Sequence, residues 1–451
     1  MLIFLETEAQ VNWFVANNST QSQQKTALAI TPSAAYACQK LDQPYLKLED
    51  HTRLLERSKE YTYILSDYLQ WEAWLDEWAQ HHVPEFRTSG FKPATATTFL
   101  LQMLFAEIWS TAVTLDELLK ALKPSQIGLW LPTITDVPWH LQPTISLISA
   151  LLPSLAYPPI SLEIVDLGEQ IPALKPVSEI KKTPFNFNNL FVWAKRQLRQ
   201  HPLIVGVVKE GPKSILTAFK LPNQSTPRIL FSGYAYDLEP LARELHHQGI
   251  HTTVLSDILP SSRLMTQTAP LSKALRQKLT TTGKQLLQEA KLWAPLEKWG
   301  LKHFSLWSTL LLFWWEKLVP ELWLYYQRVL PLLQQKKFAA LVTWDVSGSS
   351  LSSAAANAAA IAQTPCYVYQ HGSSSGIDAR LWTMYLRNCD TFLAYGTGTV
   401  DEFKQSCPEF LSPQARLKSV GSPRLDLLRQ QYQPKRVKSC KLAYKPETPA
   451  R

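Results

Sequence analysis

The chain is 451 residues long, 45% hydrophobic and 18% charged, a composition that excludes a disordered or collagen-like polymer and leaves room for two or three globular domains. Its five cysteines are odd in number and never form a C-x-x-C pair, which argues against a disulfide framework or zinc site and for a reducing compartment. The net charge of +9 is local: residues 414 to 451 hold ten Lys/Arg against two acids, a surplus of eight, so the rest of the chain carries about +1. That distribution gives no basis for a nucleic-acid partner. The basic end suits phosphate or anionic lipid, or else a solvated terminus.

The start, Met1 to Glu6, lacks a basic n-region and reads as a first strand rather than a signal peptide. Further strands are expected at Thr26 to Thr31, Tyr45 to Glu49, Ile127 to Pro132 and Leu162 to Leu167. Between the third and fourth, Trp71, Trp74, Leu75 and Trp78 recur at three- and four-residue spacing, which places them on one helix face. The sixteen tryptophans of the chain suit core packing or, in the alternative, a membrane or partner face. Residues 1–168 thus form an N-terminal Rossmann-like α/β domain.

Residues 169–227 are rich in Pro, Lys and Asn and read as a linker with one hairpin, Leu203 to Lys209 and Ser214 to Lys220. Gly206 and Gly211 approach the spacing of a phosphate-binding loop, but Pro212 stands where that motif needs its Lys. A second α/β unit, 228–433, opens with a strand at Arg228 to Gly233, an amphipathic helix at Asp237 to Gln248 closed by Gly249, and a strand at Thr252 to Asp257. That β-α-β order puts Gly233 and Asp257 at one sheet edge. His246, His247 and His251 do not read as metal ligands, because Gly249 ends the helix between them. Residues 261–337 are a helical insertion, whose apolar middle, Phe304 to Val319, is shorter than the roughly 20 residues needed to span a bilayer and reads as a core helix.

From Ala339 to Arg424 four apolar runs each end in small or polar residues: Ala339 to Asp345, Cys366 to Gly372, Thr391 to Gly396, and Arg416 to Arg424. An Ala-rich helix, Ser349 to Gln363, separates the first two and stops before Pro365. Buried strands alternating with helices imply a parallel α/β sheet, and residues just past the carboxyl ends of such strands share one crevice. Asp345, His371, Gly396 and Arg424 are therefore expected to meet in space.

Within that crevice His371 has the chemistry of a general base, since an imidazole pKa near 6.5 suits proton removal from a hydroxyl. Gln370, Gly372 and Ser373 flank it on small-residue backbone that a substrate can approach closely. Asp345 either orients the imidazole or binds a hydroxyl, or caps the turn carrying Ser347 and Ser349. That turn, like Gly396 and Thr397, opens a helix whose free amides favour an anion or polar oxygen. The Gly396 turn is not a dinucleotide fingerprint, because Asp401 replaces its third glycine. Arg424 offers a guanidinium to a phosphate or carboxylate, or pairs with Asp426 at the surface.

Trp344-Asp345 ahead of an Ala-rich helix, then Tyr369-Gln370-His371-Gly372, a strand ending in Tyr395-Gly396, and Val420 through Asp426 together resemble the GT-B glycosyltransferases of surface polysaccharide synthesis, in particular capsule transferases and CDP-glycerol glycerophosphotransferases. The resemblance covers about residues 228 to 426. It implies facing Rossmann-like domains, His371 as the base on the acceptor hydroxyl, no metal or cofactor, and a nucleotide-activated donor as substrate. The implied partners are a nucleotide-sugar donor and a glycan or lipid-linked acceptor, and the implied place is the cytoplasm at the inner face of the membrane, with peripheral membrane contact. In the resembling enzymes the Val-Gly-Ser-Pro-Arg segment precedes a whole donor-binding domain. Residues 434–451 are accordingly expected to be a linker into a domain that this chain lacks. The competing expectation is a non-catalytic scaffold at a membrane surface, using the Trp-rich helices and the basic end.

Overall fold

The computed structural model describes residues 1–18, 25–52, 61–130, 151–152, 155, 160–165, 228–233, 238–259, 271–301, 305–335, 338–343, 350–370, 386–387, 389–406 and 416–431. The expected linker and hairpin of 169–227 and the chain end from 432 lie outside the described residues, as do Asp345, Ser347, Ser349, His371, Gly372 and Ser373. The architecture is α/β, with two sheets whose strands all run parallel.

The first sheet contains β1 (Leu2–Leu5), β2 (Thr26–Ala29), β3 (Leu46–Lys47), β4 (Gln126–Trp130) and β5 (Ser161–Val165) in the order β3-β2-β1-β4-β5. Alternation along β1 sends Leu2 and Phe4 into one core and Ile3 and Leu5 into another, as expected of a strand covered on both faces. Helix α1 (Glu8–Asn18) starts in a capping box. There Gln10 N donates to Thr7 Oγ1 at 3.3 Å, and the Gln10 carboxamide oxygen accepts from Glu6 N at 2.6 Å and Thr7 N at 3.2 Å. Thr31 caps α2 (Pro32–Lys40), accepting from Ala34 N at 3.1 Å while donating to Glu6 O at 2.6 Å. The strand expected over Tyr45 to Glu49 is only two residues long, because Leu48–Asp50 form a 3-10 turn.

Between β3 and β4 run α3 (Tyr61–His82), α4 (Pro84–Ser89), α5 (Pro93–Ala96) and α6 (Thr98–Leu122). The second sheet begins with β6 (Arg228–Phe231), α7 (Leu238–His247), β7 (His251–Val254) and α8 (Leu255–Ile258). Gly249, at φ +78°, closes α7 as expected, with Gly249 N bonded to His246 O and Ile250 N to Leu245 O. The strand expected to reach Asp257 ends instead at Val254. Its partner β6 ends opposite it, at Phe231, so no ladder remains to extend and the chain enters α8.

The expected insertion is helical: α9 (Lys273–Leu286), α10 (Ala290–Lys298), α11 (Ser305–Phe313), a π-helical turn at Trp314–Leu318 and α12 (Val319–Gln334). Its aromatic side chains bury against α3 to α6, with ring centroids 5.7 Å apart for Trp71 and Trp307, 5.5 Å for Trp78 and Trp315, 5.0 Å for Phe86 and Trp323, and 4.8 Å for Phe105 and Trp299. Buried indoles usually find a partner for N–H, although among the described residues those of Trp71 and Trp307 have none. Trp314 donates to Thr97 Oγ1 at 2.7 Å, and Trp315 to Leu279 O at 2.8 Å. Gly283 on α9 makes room for the latter, since a Cβ there would stand 2.9 Å from the Trp315 ring. The core-helix reading of Phe304 to Val319 agrees with the complete burial of Trp307 and Trp315. Among the described residues α6 alone is long and apolar enough to cross a bilayer, and 61% of its most apolar window is buried.

The sheet resumes with β8 (Ala340–Thr343), α13 (Ser350–Ala362), β9 (Cys366–Tyr369), β10 (Thr391–Ala394), α14 (Thr397–Ser406), β11 (Arg416–Ser419) and α15 (Pro423–Gln431). The strand order is β11-β10-β9-β8-β6-β7. Ala354, Ala355, Ala356, Ala358 and Ala359 of α13 are fully buried, and α13 packs on α12, where small side chains permit a close approach. Leu2 and Phe4 of the first sheet, Leu230, Leu341 and Phe392 of the second, and the helices between them belong to one continuous core.

Candidate functional site at the carboxyl edge of the second sheet

In this sheet the chain winds outward from β6 to β7, then returns to the other side of β6 to form β8 and the strands beyond. The winding therefore reverses between β6 and β8, the place where open α/β sheets hold their ligands. Ser232, just past β6, donates from N to Val342 O at 3.1 Å, and its hydroxyl meets Thr343 Oγ1 at 2.7 Å in a buried contact. Gly233 follows. No atom lies within 4 Å of where a Cβ would stand on it, and the same holds for Gly396 and Gly398. The strand ends are thus lined by small residues that face open space.

Thr343 pairs with Val368 and Leu393 with Tyr369, so β8, β9 and β10 finish side by side. Gln370, the residue before His371, is 2% exposed. Its N–H donates to Leu393 O at 2.9 Å and its carboxamide oxygen accepts from Tyr395 N at 2.7 Å. That pair of bonds fastens the β9 exit to the β10 exit. Among the residues expected to bind substrate, Gln370 therefore spends its oxygen inside the protein. Gly396 is half-buried, and Thr397 is exposed in the first turn of α14, where backbone amides lack helical partners.

The segment after β11 doubles back across this edge. Val420 N bonds to Ala394 O at 2.9 Å, the Tyr369 hydroxyl donates to Gly421 O, and α15 then packs on α7, the helix that follows β6. Gly421 sits at φ +81°, a left-handed conformation that disfavours any Cβ. Ser422 caps α15 by accepting from Leu425 N at 3.3 Å, with Pro423 in the first turn. Arg424 is exposed in that turn, where the helix dipole disfavours a cation, so its position does not serve the helix. Gly396, Gln370 and the Gly421 to Arg424 segment are thus brought to one edge. Asp257 is not a strand-end residue, because it belongs to α8.

Sequence reasoning passed over Tyr369 and Tyr395 as functional residues. Their rings lie 5.7 Å apart, and Tyr369 is 2% exposed with its hydroxyl anchoring the returning segment. The available signal was a Tyr at the end of each of two successive strands. A second unforeseen group lies where α3 meets the short segment before β10. Glu72, fully buried, accepts from Arg387 at Nη2 (2.6 Å) and Nε (3.2 Å), and from the Tyr68 hydroxyl at 2.8 Å and the Thr98 hydroxyl. One turn on, Asp76 accepts from Ala94 N (2.7 Å), Thr95 N (3.0 Å) and the Thr95 hydroxyl (2.5 Å). Burial, followed by the neighbouring Glu72 charge, pushes the Asp76 carboxyl up to about 7 despite those donors. Burial likewise raises the thiols of Cys366 and Cys389, which are free and unreactive in that state.

The fold and this edge define the class of protein as one with two Rossmann-like, all-parallel sheets joined through a helical core. No protein-family model matches the chain, and no curated protein or solved structure is similar enough to count as a match.

Proposed function

We propose that the chain carries the acceptor side of a nucleotide-sugar or polyol-phosphate transferase of cell-surface polysaccharide synthesis. The observation that carries this reading is the convergence, at one strand edge beside a winding reversal, of the Gln370 exit leading into His371, the open glycines 233, 396 and 398, and the Gly421 to Arg424 return. In this reading His371 removes the proton of an acceptor hydroxyl, and the resulting oxygen attacks the donor's anomeric carbon. The carbon–oxygen bond to the nucleotide then breaks, and the nucleoside diphosphate departs with the electron pair. For a polyol phosphate the attack falls on phosphorus and a nucleoside monophosphate leaves. Asp345, Gly372, Ser373 and the turn carrying Ser347 and Ser349 position the acceptor. Thr397 at the start of α14 and the Arg424 guanidinium offer donors to phosphate oxygens.

A scaffold at a membrane surface would draw on the tryptophan-rich helices, but Trp307, Trp314 and Trp315 are at most 3% exposed. That burial favours the transferase. The test is turnover with nucleotide-activated donors and glycan or lipid-linked acceptors, measured together with the donor-binding side that this reading requires, since the acceptor side alone is expected to be inactive. His371→Ala should lower it by about 10²- to 10⁴-fold, the usual worth of a positioned general base, without changing the unfolding midpoint. Unaltered turnover at saturating donor and acceptor would end this reading.

A further inference from the structure

The first sheet carries a cavity that the transferase reading does not use. Its volume is about 380 Å³, within the roughly 300–1,000 Å³ of small-molecule sites, and it opens at the carboxyl ends of β2 and β3. Its origin is local: β3 stops after two residues and turns into the 3-10 segment, while α2 begins with Thr31, Pro32 and the small Ala35, so a cleft remains between them.

We propose that this cleft binds a nucleoside, meaning a planar heteroaromatic ring carrying a vicinal diol. Four features of its wall support that class. Tyr36, 68% exposed, and the half-buried Tyr45 give two aromatic rings in the lining of the cleft. Gln39 Nε2 donates to the Tyr45 hydroxyl at 3.1 Å and steadies that ring. Lys47 and Glu49 line the same cleft, and among the described residues neither side chain makes an ion pair or hydrogen bond. Ile30 and Leu48 supply an apolar floor. A heterocycle stacks on a tyrosine face, its ring nitrogens accept from an ammonium or amide, and a diol donates to a carboxylate. An acyl chain would instead leave Lys47 and Glu49 desolvated without partners, which is unfavourable.

The neighbouring strand explains why a nucleoside fits better than a nucleoside diphosphate. In wound sheets of this order a diphosphate rests on the amides that open the helix after β1. Here the Glu6 and Thr7 amides are already bonded to the Gln10 carboxamide, and Glu6 and Glu8 add negative charge beside them.

The experiment is titration calorimetry of the full chain with adenosine, guanosine, cytidine and uridine, with ADP and 2′-deoxyadenosine alongside. At least one nucleoside should bind with a Kd of about 0.1 mM, the value that ordinary ligand efficiency gives for a molecule of this size. Tyr36→Ala should weaken it about tenfold or more through lost stacking, Glu49→Gln about tenfold through the diol, and Arg424→Ala not at all. Both pocket residues are exposed, so circular dichroism should be unchanged in either variant. No binding by any nucleoside at 2 mM, ~20 times the expected Kd, overturns the proposal. So does binding that survives either pocket substitution, or ADP binding more tightly than adenosine. Binding abolished by Arg424→Ala and not by Tyr36→Ala would place the nucleoside in the transferase crevice, removing this site while leaving the transferase reading intact.

Discussion

The helical core and the carboxyl edge of the second sheet use opposite kinds of residue. In the core, Trp71, Trp78, Trp307, Trp314, Trp315 and Trp323 interlock across helices far apart in sequence, and the indoles of Trp78, Trp314 and Trp315 find hydrogen-bond partners. At the edge stand Ser232, Gly233, Thr343, Gln370, Gly396, Gly398 and Gly421. Bulk in the one place and openness in the other reflect a single constraint. A surface that a ligand approaches at backbone distance has no room for large side chains, so apolar burial is concentrated elsewhere. Substitutions in the core are therefore expected to register as stability and those at the edge as turnover.

The largest effect should come from the core. Trp315→Ala removes a fully buried ring together with its bonds to Leu279 O and Thr282 Oγ1, and is expected to cost about 3–5 kcal/mol in urea unfolding. A cost below ~1 kcal/mol, typical of surface positions, would show that the helices do not depend on this contact and would break the comparison.

The polar group within the core comes next. Asp76 titrates near 7 in the folded chain against an ordinary value of 3.8, so between those pH values the folded state holds a proton that the unfolded state has lost. Its contribution is complete below about pH 4 and fades as pH rises to about 7. Asp76→Asn should flatten that part of the stability–pH curve; an unchanged slope would assign it to other groups. Glu72→Ala should cost about 2–3 kcal/mol, because it leaves Arg387 and Tyr68 without their shared acceptor. The Arg387 side chain is 37% exposed, which keeps the loss below that of a wholly buried pair. A double-mutant cycle with Arg387→Ala measures the coupling directly.

The smallest stability effect is expected at the edge. Gly421→Ala meets no atom closer than Asp426 Oδ2 at 3.9 Å, so its cost is the left-handed backbone alone, about 1–2 kcal/mol. If the returning segment shapes a working crevice, turnover should fall by more than the loss of folded protein accounts for. Loss of stability with turnover per folded molecule unchanged would separate Gly421 from the site and sharpen the contrast to the other glycines.

Local chemistry made several features of the sequence legible. The alternation of β1, the closure of α7 at Gly249, the alanine helix before Pro365 and the small residues after each strand all follow from neighbours within a few positions. The end of β7 did not, because a strand stops where its partner stops, and that partner, β6, is fixed by pairing rather than by the residues around Asp257. Gln370 was legible as a strand-end residue, but its use as a brace depends on the position of Tyr395.

By itself the sequence determined the α/β class and the order of strand and helix segments, since these follow from hydrophobic period, capping and breaker residues. Tertiary structure alone decided which strands are neighbours and where the winding reverses in each sheet. It also joined the 273–334 helices to α3 through α6, returned the chain over Tyr369, and set Glu72 against Arg387 across 315 positions. Each of these is a contact between distant segments. Its free energy depends on shape and burial in the assembled core, and short-range sequence patterns carry neither.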